Sequence, residues 1–236
     1  MVSSGFQDSP APRRFVASTS VQADRRRDME SPIPLGRQNV VPAAAVCEEA
    51  FRDAPLTRHF FPDAADRGRG ALGMFRFMVN YTILYGEANA PSPDIEGVAC
   101  WLPHTTATMT LWRVFRAGGF WSLHMSGESR RRVMATDEYL LAQRRRIAQG
   151  EHLYLQVIAV KPEHQGKGMG GRMLRYVLER ADADSIPCYL ETFGDDHVSL
   201  YRHFGFEVAE SGIIPGMQEP VFLMSHVSQT PCLGVN

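Results

Sequence analysis

Residues Val160 to Leu174 read VKPEHQGKGMGGRML. Gly166, Gly168 and Gly171 stand at the spacing G-x-G-x-x-G, after the apolar run HLYLQVIAV and ahead of a helical pattern. Glycines so placed let backbone N–H groups close around a phosphate at a helix N-terminus, where the helix dipole adds about half a positive charge. Which phosphate it is decides the fold. A dinucleotide-binding turn leaves its strand almost at the first glycine and belongs to a repeated βαβ sheet. Here Lys161, Pro162, Glu163, His164 and Gln165 intervene, and the motif comes late in the chain without further βαβ units. A P-loop needs G-K-[ST], which is absent.

Working outward, HLYLQVIAV reads as a central strand, apolar on both faces in its second half. RMLRYVLERADAD predicts a helix, with Met169, Met173, Val177 and Ala181 along one stripe, Leu174 and Leu178 beside it, and Arg175 and Glu179 paired on the exposed side. IPCYLET is the next strand, so strand, loop, helix and strand make one βαβ unit with parallel strands. DDHVSLYRHF predicts a short helix capped by Asp195 or Asp196 and stopped by Gly205. FEVAE and EPVFLMSH close the sheet.

Upstream, NVVPAAAVCEEAFRDAP predicts a helix with Val46, Ala50 and Phe51 on one side and Pro55 as its stop. A second helix is expected over ADRGRGALGMFRFMVNY. YTILYGEA and DIEGVACWL read as two strands joined through Pro91-Ser92-Pro93. The stretch from His104 to Gly150 is mostly helical in pattern. The triplets Arg130 to Arg132 and Arg144 to Arg146 are expected on its solvated faces. Residues 1–28, rich in Ser, Ala, Pro and Arg without apolar periodicity, read as a disordered tail, and Met29 stands as a possible start. Residues 29–230 then form one domain, with residues 231–236 as a C-terminal tail.

The 236 residues are 44% hydrophobic, enough to bury a core, and the formal net charge of −1 gives no electrostatic reason for nucleic acid or an anionic membrane as partner. No apolar run approaches the roughly 20 residues a bilayer helix needs. Cys47, Cys100, Cys188 and Cys232 are widely spaced and read as free thiols in a reducing cytoplasm. The histidines form no H-E-x-x-H or Cys/His cluster, so no metal is expected.

Read from Gln165, the loop spells Q-x-x-G-x-G through Gly166, Lys167, Gly168, Met169 and Gly170. With V-x-P before it, CYLET after it, and then LYRHFGFEV, it resembles the acyl-CoA-binding core of the Gcn5-related N-acetyltransferase superfamily. The match is strongest from His152 to Val208 and looks closest to the puromycin N-acetyltransferase-like subgroup. The resemblance implies an α/β (α+β) fold with a mixed central sheet whose two parallel strands splay apart at the acyl-CoA site, over a core of residues 151–210. It implies acetyl-CoA as acyl donor, its pyrophosphate held by Gln165, Gly166, Lys167, Gly168, Met169, Gly170 and Gly171, and its pantetheine arm by the backbone of Ile158, Ala159 and Val160.

The implied reaction is attack of a primary amine on a thioester. At a lysine-like pKa of about 10.4 the amine must lose a proton at a cost of roughly 4 to 5 kcal/mol at pH 7, whereas a thiol leaving group near 8.5 demands less. By resemblance Tyr201 is the acid beside the CoA sulfur and Glu191, at the end of its strand, the base. His197 stands where close relatives carry an Asn that contacts the cofactor, and with a water chain it is an alternative base. Gly194 replaces a second Asn common in the family. Cys188 is expected to pack rather than react. Trp101, His104, Trp112, Phe115, Phe120, Trp121 and His124 mark the acceptor region, mostly as core. The leading expectation is a small-molecule N-acetyltransferase, monomeric or dimeric. Acetylation of protein lysines or N-termini, and a CoA-binding module with little catalysis, are the alternatives.

Overall fold

The structure is a computed structural model that describes residues 31–226. The expected tails and Met29 lie outside the described residues. In chain order the elements are β1 (Ile33–Pro34), α1 (Val40–Phe51), α2 (Pro55–Phe60), α3 (Ala64–Tyr85), β2 (Glu87–Ala90) and β3 (Gly97–Pro103), then α4 (His104–Ala107), α5 (Leu111–Arg116), α6 (Gly127–Ile147) and β4 (Leu153–Val160). They continue with α7 (Met169–Ala183), β5 (Cys188–Phe193), α8 (Asp195–His203), β6 (Glu207–Ile213) and β7 (Pro220–His226).

All strands join one sheet in the order β1-β2-β3-β4-β5-β7-β6. The β4–β5 pair is parallel and every other pair antiparallel, which is the mixed sheet expected. On one face α7 buries Met173, Leu174, Val177 and Leu178 against Leu155, Cys188 and Leu190. On the other, α1 and α3 bring Val46, Phe75 and Val79 onto Val157 and Ala159, while α6 brings Tyr139 and Leu140 toward Tyr189 and Leu223. No helix among the described residues is long and apolar enough to cross a membrane.

Three local expectations change. Tyr81 to Tyr85, expected in a strand, extend α3 by more than a turn, because Val79, Tyr81 and Thr82 continue the buried face begun by Met74 and Phe75. Packing at helical spacing outweighs the strand preference of Thr82 and Ile83. Pro55 opens α2 instead of merely ending α1, using the N1 position where its missing N–H costs nothing. The N-cap of α8 is Gly194, at φ +78°, with Asp195 and Asp196 inside the first turn and no side-chain cap bond.

The feature that positions the site is the short β4–β5 ladder. It pairs Leu153 with Cys188, Tyr154 with Tyr189 and Leu155 with Leu190, and then stops. Beyond it β4 keeps its partner β3 through Gly97–Val160, and β5 keeps β7 through Phe193–Val221. The two strands therefore part, each held from its outer side. The irregularity in the β3–β4 register falls at Gln156, where the gap begins, and Thr82 Oγ1 donates to Gln156 Oε1 at 3.0 Å.

Candidate active site

The glycine loop sits at one end of this gap. Gly166 (φ +74°) and Gly168 (φ +78°) lie in the left-handed region, with open space where a Cβ would point, so their need is conformational. Gly170 is helical and a Cβ there would make ordinary contact with Val160, so backbone conformation does not require it. Gly171 is set by packing, since a Cβ would come within 2.9 Å of Phe204 Cζ. The backbone N–H groups of residues 166–171 find no acceptor among the described residues, and the first intrahelical bond belongs to Arg172 N–H, donated to Gly168 O. A run of free donors at the start of a 15-residue helix is an arrangement that can hold an anion. The side chains expected to help are turned to the loop itself. Gln165 Nε2 donates to Val160 O at 3.0 Å, and Lys167 Nζ to Glu163 O at 2.8 Å. Arg172 Nη2 donates to Pro91 O.

Along the gap, strand alternation sorts the three residues expected to meet the pantetheine. Lys161 N–H donates to Glu96 O on the β3 side, so Ala159 also turns its peptide groups to β3. Ile158 and Val160 point theirs toward the gap. The Val160 carbonyl already accepts from Gln165, which leaves the Val160 N–H and both groups of Ile158 open.

Glu191 stands on β5 one residue past the last rung, on the face shared with Tyr189 and α6. Burial pushes its carboxyl up to about 7 against the pull of Arg144, and the neighbouring Asp137 adds to the rise. The hydroxyls of Tyr154 and Tyr189 face it and favour its ionised form. Even so, its Oε1 and the Tyr189 hydroxyl close no hydrogen bond. Asp137 keeps more than a third of its surface open, yet crowding by protein holds its carboxyl near 6.

Tyr201 lies across the sheet from Glu191. Its ring packs among Val198, Phe206 and the α7 core, edge-on to Phe206 with centroids 5.8 Å apart. Its hydroxyl makes no hydrogen bond among the described residues, and burial raises it to about 12. At neutral pH it holds its proton, the state a donor needs. His197 is exposed at the start of α8, with Nδ1 on Phe193 O at 3.0 Å. Cys188 is fully buried, its thiol pushed up to about 12 by burial and by Asp182, which leaves it in the protonated, packing state.

Two expectations about the region between β3 and β4 are corrected. Arg144, read from its triplet as solvated, is 8% exposed. Trp112, Phe115 and Phe120, from a set read as mostly core, are exposed: six-residue α5 buries none of its residues, Trp112 stacks on Phe115, and Phe120 meets Phe115 edge-on. Trp101 is buried as expected. Arg144 and Asp137 were missed as site residues; their seven-residue spacing on one helix face is the signal that could have found them.

Comparison with known proteins agrees with this fold. Residues 131–208 match the acetyltransferase (GNAT) domain family. An uncharacterized N-acetyltransferase of Schizosaccharomyces pombe is 26% identical over 179 residues, covering 72% of this chain and 71% of the relative. A structure described as histone acetyltransferase HPA2 and related acetyltransferase, from Corynebacterium glutamicum, superposes with TM-score 0.62 at 18% identity, over 86% of this chain and all of that one. A putative arylalkylamine N-acetyltransferase from the mosquito Aedes aegypti gives 0.61 at 15% identity, over 83% and 86%. A Drosophila melanogaster polyamine N-acetyltransferase gives 0.52 at 13%, over 84% and 100%. Residues 131–208 thus carry an acetyltransferase (GNAT) domain, and the relatives support an acyl-CoA-dependent N-acetyltransferase of the Gcn5-related superfamily.

Proposed function

We propose that the chain transfers an acetyl group from acetyl-CoA to the primary amine of a small molecule, by direct attack with both substrates bound. The observation that carries this reading is Glu191. It is a carboxyl at the mouth of the strand gap, with an unpartnered oxygen and a pKa raised to about 7, on the face opposite Tyr201. The donor would lie with its pyrophosphate on the N–H groups of residues 166–171 and its arm on Ile158 and Val160. The acceptor would enter from the α6 side.

Glu191 takes the amine proton, and a base poised near neutrality is matched to that task. The amine nitrogen then bonds to the thioester carbonyl carbon, the carbon–sulfur bond breaks and the leaving sulfur takes the proton of Tyr201, while the acylated nitrogen sheds its second proton to water, from which Tyr201 is reprotonated. Small amines are also what the arylalkylamine and polyamine enzymes of the same fold are named for.

Tyr201→Phe tests the donor half. The ring and its packing remain, so the KM for acetyl-CoA should hold while kcat falls by about 10²-fold, the low end for a general acid because a thiol leaves readily. An unchanged kcat, with chemistry shown to be rate-limiting by single turnover, reduces Tyr201 to a core aromatic.

A further inference from the structure

The reading above leaves Arg144 without a task. It is buried, yet no carboxylate of the described residues lies within salt-bridge distance of it. Its Nη2 donates to Ala107 O at 2.9 Å, and its Cζ lies 4.2 Å over the Tyr154 ring. These two contacts fix the plane of the guanidinium. Its Nε and Nη1 donate to nothing among the described residues, and neither is sealed from solvent.

A guanidinium that served only to staple α6 to β4 would spend its donors on the protein, since buried cations are costly unless compensated. Two further polar groups beside it are also unspent. Tyr189, fully buried, has a hydroxyl with no partner. His152, 8% exposed, anchors Nδ1 on Gly150 O at 2.9 Å and leaves Nε2 unpartnered. Glu191 feels the Arg144 charge without reaching it, and Asp137, two turns earlier on the same helix, is exposed.

A planar guanidinium with free donors is the partner a carboxylate fits with two parallel hydrogen bonds. We propose that the acceptor carries a carboxylate close to its amine, and that Arg144 holds this carboxylate, with the Tyr189 hydroxyl as a further donor, while the amine faces Glu191. The acceptor class is then an amino acid or a similar amino-carboxylate, and Arg144 is its specificity determinant. This inference rests on the function proposed above.

The test uses matched pairs, such as phenylalanine with phenethylamine, tyrosine with tyramine and lysine with cadaverine, with thiol release from acetyl-CoA as readout. For the best pair the wild-type protein should favour the carboxylated member. In Arg144→Gln the ratio of kcat/KM between the two members should fall by about 10- to 100-fold, the range of a hydrogen-bonded charge, chiefly through the KM of the carboxylated acceptor. Arg144→Lys, which keeps the charge but loses the fork, should recover part of the ratio. Melting curves and acetyl-CoA titration establish that each variant is folded. A wild-type preference for the decarboxylated amines, or a ratio unmoved in Arg144→Gln, overturns this inference alone. Acetyl-CoA binding with no thiol release from any member of the panel overturns the proposed function together with it.

Discussion

Glu191→Gln is expected to lower kcat/KM for the acceptor amine by about 10²- to 10⁴-fold at pH 7 while leaving the KM for acetyl-CoA close to its wild-type value. The substitution keeps the shape of the side chain and removes only its capacity to take a proton. The loss should shrink as pH rises toward the amine's own pKa, because an amine already unprotonated needs no base. The wild-type rate should climb through pH 7, where the Glu191 carboxyl ionises.

The same group makes a stability prediction of opposite sign. Its folded pKa lies above the usual carboxylate value, so between about 4.5 and 7 the folded state holds a proton that the unfolded chain has released. Ionised Glu191 therefore destabilises the fold above pH 7 and costs nothing below about 4.5. Glu191→Gln should melt at a higher temperature than wild type at pH 8, by scanning calorimetry, with the gap closing toward pH 4.5. A variant less stable at pH 8 would mean that the carboxylate is a structural partner of Arg144 and not a base held in reserve.

Gly168→Val is the second large effect. The residue sits at φ +78°, a conformation closed to a β-branched side chain, and it is the N-cap from which the free N–H groups of α7 radiate. Reshaping that turn should weaken acetyl-CoA binding by about 10²-fold or more, since several charge-assisted hydrogen bonds are lost together. The loop lies at the surface, so far-ultraviolet circular dichroism should be unchanged. Isothermal titration with acetyl-CoA and with NAD checks both halves. NAD should bind neither protein, and tight NAD binding to wild type would restore the dinucleotide reading of the glycines. Gly171→Ala differs in kind. Its methyl would press on Phe204, so its cost should register in the melting temperature.

What the sequence made legible follows the range of the interactions involved. The glycine loop and α7 depend on neighbours within a few residues and their patterns state them directly, while the parallel pair follows from the strand–helix–strand connection that α7 makes. Tyr81 to Tyr85 carry strand-like residues, and only the packing of α3 against β3 and β4 makes them helical. Arg144 shows the limit most clearly. In a run of three arginines on a helix, each step turns the side chain by about 100°, so one can point inward while its neighbours stay in water. Which one does so depends on Tyr154 and Ala107, which lie in or at the end of other elements, β4 and α4. Glu191 was visible as a carboxyl at a strand end, but its raised pKa comes from burial and from Asp137, against the pull of Arg144, and neither residue is adjacent to it in sequence.

The most direct measurement incubates the protein with acetyl-CoA and a panel of primary amines and amino acids, following thiol release and the mass of the acceptor together. The account predicts thiol released in step with an acceptor heavier by one acetyl group, at a rate that collapses in Glu191→Gln. Acetyl-CoA bound in the cradle with no acceptor acetylated at any pH would contradict it, and would leave a CoA-binding module in place of an enzyme.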